Sequence, residues 1–118
     1  MSHSTVDNYL NTWNAEPAER ERHLAQHWSA AATYTDPLGA AAGRSEIAAT
    51  IDAVRQQFAG LEFSPIGDAD SHHNQTRFRW GLGPAGGEPL VIGFDVIVTD
   101  DVGRIATVLG FLDKVPVG

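Results

Sequence analysis

Two aspartates in this chain sit where a carboxyl group could move a proton, accepting one when ionised and donating one when neutral. Asp95 lies in residues 90–99. There the even positions Leu90, Ile92, Phe94, Val96 and Val98 are all apolar, and the odd positions read Val91, Gly93, Asp95, Ile97 and Thr99. An ionised carboxylate in a strand buried on both faces is costly, so Asp95 must be paired, with Arg77 or Arg79, or hydrogen-bonded and held neutral. Asp36 follows the strand-forming triplet Thr33-Tyr34-Thr35 and precedes Pro37, which ends a strand because it has no N–H to donate. That position suits either a turn element or a functional carboxylate at a strand's end. Tyr34 shares the strand face of Asp36, and Tyr9 shares a helical face with Trp13; a phenol buried in a core still needs a partner for its hydroxyl.

Other chemistries lack their residues. The chain has 118 residues, fifteen acidic against eight basic, a net charge of −7 and no cysteine. The absence of cysteine removes disulfides, thiolate zinc sites and a thiol nucleophile. Lys114 is the sole lysine and the arginines are scattered, which argues against nucleic acid as a partner. His72 and His73 stand side by side before a strand and read as an exposed pair. His3, His23 and His27 lie elsewhere, so no metal site is expected. The glycines between Gly81 and Gly87 lack the strand-to-helix setting of a phosphate loop or a nucleophile elbow. Neither a charged-then-apolar leader nor an apolar run of membrane length is visible, so a cytoplasmic protein without a membrane partner is expected.

The elements that must hold these residues segregate along the chain, helices first and strands later, which predicts an α+β fold in one domain spanning residues 1–118. Val6, Tyr9, Leu10 and Trp13 mark a first helix ending near Asn14. Pro17 opens a second, reaching about Ser29, with Leu24 and Trp28 inward and Glu19, Arg20, Glu21 and Arg22 on the wet side. Ile47, Ile51, Val54 and Phe58 mark a third, closed by Gly60. From Leu61 the period is two: Phe78, Trp80 and Leu82 face one way and Arg77 and Arg79 the other. The turn around Gly83-Pro84 makes a hairpin, and residues 104–112 form the last strand. Four to six mainly antiparallel strands result. The odd face of residues 90–99 should line a cavity under the helices, and the even face should be covered by a second copy of the sheet, giving a homodimer.

These motifs resemble the nuclear transport factor 2-like superfamily, in its SnoaL-like polyketide cyclase and ketosteroid isomerase-like branches. The matching pieces are Tyr9-Leu10 with Trp13-Asn14, the run from Ala32 to Gly39 leading to Gly43-Arg44, and Phe94-Asp95-Val96 followed by Gly103-Arg104-Ile105. The resemblance implies a cone-shaped, curved, mainly antiparallel sheet whose three N-terminal helices enclose a pocket, as in cystatin-like folds. It implies Asp36 as a base beside a carbonyl, Tyr9 and a neutral Asp95 as donors to the enolate oxygen, and no cofactor or metal. The logic of a neutral carboxylic acid serving as donor is that of ketosteroid isomerase itself. The ligand would be small and apolar, lined by Trp13, Tyr34, Phe78, Trp80, Val91, Ile97, Val108 and Leu112, because two tryptophans narrow the space. The same fold also serves as a non-catalytic binding or dimerisation module.

Overall fold

The computed structural model describes residues 2–116; Met1, Val117 and Gly118 of the expected domain lie outside the described residues. Helix α1 (Ser2–Asn14) turns Val6, Tyr9, Leu10 and Trp13 inward, all buried, as the 3.6-residue period requires. Helix α2 (Pro17–His27) begins at a proline whose missing N–H costs nothing in a first turn, after an extended Glu16. It stops two residues earlier than its pattern suggests. Trp28 is extended and opens strand β1 (Trp28–Asp36), where it is wholly buried and donates its indole N–H to Thr12 Oγ1 at 3.1 Å.

Arg20 also departs from the pattern. It is buried, one turn before Leu24 on the same face, and donates to the carbonyls of Thr12 and Ala15 and to Asp52 of the third helix. The carbonyls at the end of α1 have no partner within their own helix, and this guanidinium supplies one. Charge alone had placed Arg20 in water; its five donors tie three helices together instead.

Strand β2 (Gly39–Ala42) is a short edge strand with no clear signal in its small residues, and it pairs antiparallel with β1. Helix α3 (Gly43–Gln57) buries Ile47, Ala48 and Ile51, and Glu46 accepts the Ala42 N–H at 2.9 Å at its start. Four long strands follow: β3 (Glu62–His72), β4 (Gln75–Gly83), β5 (Val91–Thr99) and β6 (Ile105–Lys114). They complete an open six-stranded sheet of order β2-β1-β6-β5-β4-β3, antiparallel throughout except for the parallel pair β1 and β6. Register shifts interrupt β3 between Ile66 and Asp70, where Gly67 takes a positive φ, and β5 on β6 at both ends. Such irregularities bend a sheet, and here the three helices cover one of its faces.

The two faces of β5 are unequal. Val91, Gly93, Asp95 and Ile97 are buried, while Ile92, Phe94, Val96 and Val98 are only half-buried. Among the described residues no helix is long and apolar enough to cross a membrane.

Candidate functional site

Asp95 projects from β5 into the core at 2% exposure, and the Tyr9 hydroxyl of α1 donates to its Oδ2 at 2.6 Å. Neither arginine reaches it: Arg77 pairs with Asp70 and Arg79 with Asp113, on the opposite, solvent-facing side. Of the expected partners of Asp95, neither arginine is found, and a hydrogen bond from Tyr9 takes their place. Burial pushes its pKa up to about 6. The Tyr9 hydroxyl and the Trp80 indole N–H, close by but outside hydrogen-bond geometry, pull the other way, and the charge of Asp36 adds to the rise. Burial, then the Asp95 charge, holds the Tyr9 phenol well above its ordinary range.

A second tyrosine–aspartate pair stands nearby. The Tyr34 hydroxyl donates to Asp36 Oδ2 at 2.6 Å, while Asp36 Oδ1 accepts the N–H groups of Leu38 and Gly39 at 2.8 and 3.0 Å. The turn after Asp36-Pro37 thus fixes one carboxyl oxygen and Tyr34 the other. Burial, then the Asp36 contact, raises the Tyr34 phenol above its usual range.

Strand β6 brings the pairs together. It lies between β1 and β5, with Gly110 opposite Asp95 and Tyr34 beside Val108. A Cβ at Gly110 would stand 3.0 Å from Asp95 Oδ1 and 3.3 Å from Asp36 Cβ, so both carboxyl side chains occupy the space that this glycine leaves. Gly93 does the same for Trp80: a Cβ there would fall 2.1 Å from an indole carbon, so the ring lies flat on the backbone. Above these residues is a cavity of ≈ 210 Å³ walled by Trp13, Phe58, Phe63, Trp80, Leu82 and Val91. Tyr9, Tyr34 and Asp36 are polar groups on its lining, and the exposed Leu38, Val115 and Pro116 stand at its mouth.

No family model matches the chain, and no curated protein matches it. A solved structure of a SnoaL-like family protein from Agrobacterium tumefaciens strain C58, described as a candidate isomerase, is 38% identical, with a TM-score of 0.89 over 94% of this chain and 96% of that one. The chain belongs to the SnoaL-like family. More distant structures share the fold. One is a candidate polyketide cyclase from Sinorhizobium meliloti, 18% identical with a TM-score of 0.71 over 93% of this chain and 98% of that one. Another is a Catenulispora acidiphila protein with a ketosteroid isomerase-like fold in complex with trimethylamine, 18% identical with a TM-score of 0.70 over 90% and 82%.

In this SnoaL-like chain Tyr9, Asp36, Trp13, Tyr34, Trp80, Val91 and Leu112 line the cavity, and Asp95 sits behind Tyr9 without lining it. Phe78, Ile97 and Val108 do not line it. All three are buried, and Phe78 packs its edge on the Tyr9 ring at 5.5 Å. They share the inner face but lie farther along the strands, where the helices rest directly on the sheet. Phe58, Phe63 and Leu82 line the cavity without being expected there: helical spacing marked Phe58 and the alternation of β4 placed Leu82 on the inner face, but neither pointed to the cavity. His72 and His73 are exposed, and among the described residues no three metal-ligating side chains converge.

The raised pKa of Asp95 links to stability. Its folded value of about 6 exceeds the ordinary 3.8, so the folded state binds more protons between those values and loses stability as pH rises through that window. The Asp95→Asn variant lacks this term. Urea unfolding should find it gaining on the wild type between pH 4 and pH 7.5, by up to about 3 kcal/mol. A constant difference across that range would show that Asp95 titrates normally.

Proposed function

We propose that this SnoaL-like protein is a cofactor-independent isomerase or cyclase that shifts a proton at a carbon beside a carbonyl. The observation that carries the reading is the pair of tyrosine–aspartate hydrogen bonds flanking Gly110 at one apolar cavity. Asp36, as the carboxylate, takes the proton from carbon; it lines the cavity, and three hydrogen bonds fix its orientation. The electrons move onto the carbonyl oxygen as an enolate, and Asp36 returns the proton to another carbon, or the enolate carbon attacks a second carbonyl. Tyr9 faces that oxygen.

Asp95 acts through Tyr9 and is a positioning residue in this scheme. Ionised, it accepts the hydrogen bond from the Tyr9 hydroxyl; protonated, it donates to Tyr9 Oη and frees the phenol hydrogen for the ligand oxygen. A cavity of ≈ 210 Å³ is smaller than the roughly 300–1,000 Å³ pockets of drug-sized ligands, which favours a ligand of one or two rings.

Leu109 and Phe111 are 43% and 58% exposed on β6, and Phe94 meets Phe111 edge-on at 6.5 Å. Together with Val96 they make an apolar outer face that a second copy of the sheet would cover. Light scattering should give a dimer at micromolar concentration, and Phe111→Asp should give a folded monomer; a wild-type monomer refutes the pairing.

Asp36→Asn tests the chemistry. Proton exchange with deuterated water at the carbon beside the carbonyl of small cyclic ketones, read by NMR, should slow by roughly 10²–10⁴-fold. An unchanged rate removes Asp36 from the mechanism. A nitrophenolate that stays ionised from pH 5 to 8 serves as an enolate mimic. It should bind more weakly as pH rises above about 6, the value to which burial moves Asp95. Tyr9→Phe should flatten that dependence, and a flat wild-type profile contradicts the role of Asp95.

A further inference from the structure

Each oxygen of an ionised carboxyl group has room for about two hydrogen bonds. On Asp36 that room is filled unequally. Oδ1 accepts the N–H groups of Leu38 and Gly39 at 2.8 and 3.0 Å, which occupies both of its positions. Oδ2 accepts the Tyr34 hydroxyl at 2.6 Å and no other donor among the described residues, so one of its positions is open. Taking a proton from a ligand needs an open lone pair on the cavity side. Oδ1 is tied to the exposed turn after Pro37, whereas Oδ2 is tied to a phenol that is 5% exposed and lines the cavity together with Asp36.

Tyr34 is built to hold that oxygen. It stands two residues before Asp36 in β1, so both side chains leave the strand on the same face. Its backbone is paired on both sides, with Ala41 of β2 and Val108 of β6, and its ring lies 5.8 Å from that of Trp13. The two turn amides anchor one carboxyl oxygen, and a second anchor on the other oxygen stops the group from rocking about the first. A phenylalanine would fill the same space, so packing alone does not account for the hydroxyl. Burial holds the phenol above its usual range, which keeps it a donor at neutral pH.

We propose that Asp36 Oδ2 is the atom that takes the ligand proton, and that Tyr34 is the positioning residue that aims it at one of the two hydrogens on the reacting carbon. This rests on Asp36 being the base, as in the function proposed above. In the step, the C–H bond breaks, its proton passes to Oδ2, and its electron pair forms the enolate as the carbonyl pair moves onto oxygen. In deuterated water the acid proton on Oδ2 is replaced by a deuteron, which returns to the carbon. With the base held on one side of the ligand, only the hydrogen on that side exchanges quickly.

The test follows deuterium uptake beside the carbonyl in one enantiomer of 3-methyl-1-indanone. This is a flat two-ring ketone whose methyl group gives the two hydrogens on the reacting carbon separate NMR signals. The wild type should exchange one hydrogen at least about tenfold faster than the other. Tyr34→Phe should lower kcat roughly tenfold with KM unchanged, and should bring the two rates to within about twofold of each other. A hydrogen bond to a carboxylate also weakens it as a base, so a variant that exchanges faster shows tuning of basicity in place of aiming. Added to Asp36→Asn, Tyr34→Phe should slow exchange no further. Exchange in Tyr34→Phe that is as fast or as selective as in the wild type overturns the proposal. Equal wild-type rates for the two hydrogens do so even where the variant fails to fold. The two readings fail separately: a wild type that exchanges neither hydrogen, or an Asp36→Asn variant that is unaffected, removes the base and this inference with it. Slowing by Asp36→Asn without slowing by Tyr34→Phe removes this inference alone.

Discussion

The hydrogen bond from Tyr9 to Asp95 joins residues 86 positions apart and sets the terms for the rest of the molecule. A carboxyl group in an apolar strand needs a partner, and the partner comes from the first helix, so α1 must lie across the sheet with its Tyr9 face down. That placement carries Trp13 to the cavity wall and brings the end of α1 to where Arg20 can reach its free carbonyls. The sheet adapts in turn: opposite Asp95 stands Gly110, the one residue type that leaves room for the carboxyl.

Much of this was legible in the sequence because burial leaves periodic traces. The alternation of residues 90–99 marked Asp95 as an acid out of place, the four-three-four spacing of α3 gave its buried face, and Pro37 fixed where β1 must stop. The membership in the SnoaL-like family agrees with the motifs around Tyr9, Asp36 and Asp95. What escaped depended on partners distant in sequence. Arg20 sat in a run of charges, and nothing local showed that the carbonyls of Thr12 and Ala15 would need its donors. Alternation told that Phe78, Ile97 and Val108 face inward, but not how far along the strands the cavity extends. Trp28 continued a helical pattern, yet its indole found Thr12 only because the chain turned into a strand.

The two faces of the sheet divide the charges. Arg77 and Arg79 are about half exposed, paired with Asp70 and Asp113, and exposed pairs of this kind contribute only ~0–1 kcal/mol each. Their larger effect is one of placement. With the guanidinium groups of β4 held outside, no cation lines the cavity among the described residues, and the inner carboxyls take their hydrogen bonds from phenols and backbone amides. This lets burial raise the pKa of Asp95, which a neighbouring arginine would lower.

The parallel pairing of β1 with β6 has a consequence for how the protein comes into being. Among the described residues, strand β1 and its short neighbour β2 connect to the remainder of the sheet only through β6, the last of the six strands. During synthesis the hairpins of β3, β4 and β5 can close early, but β1 has no seat until residues 105–114 have emerged. Asp36 therefore meets Asp95 only once β6 is seated between them. Joining strands so far apart in sequence carries a large loop-closure entropy and slows folding. The two halves of the candidate site thus come together only once β6 is in place, and a chain cut before β6 cannot hold its carboxyls in register.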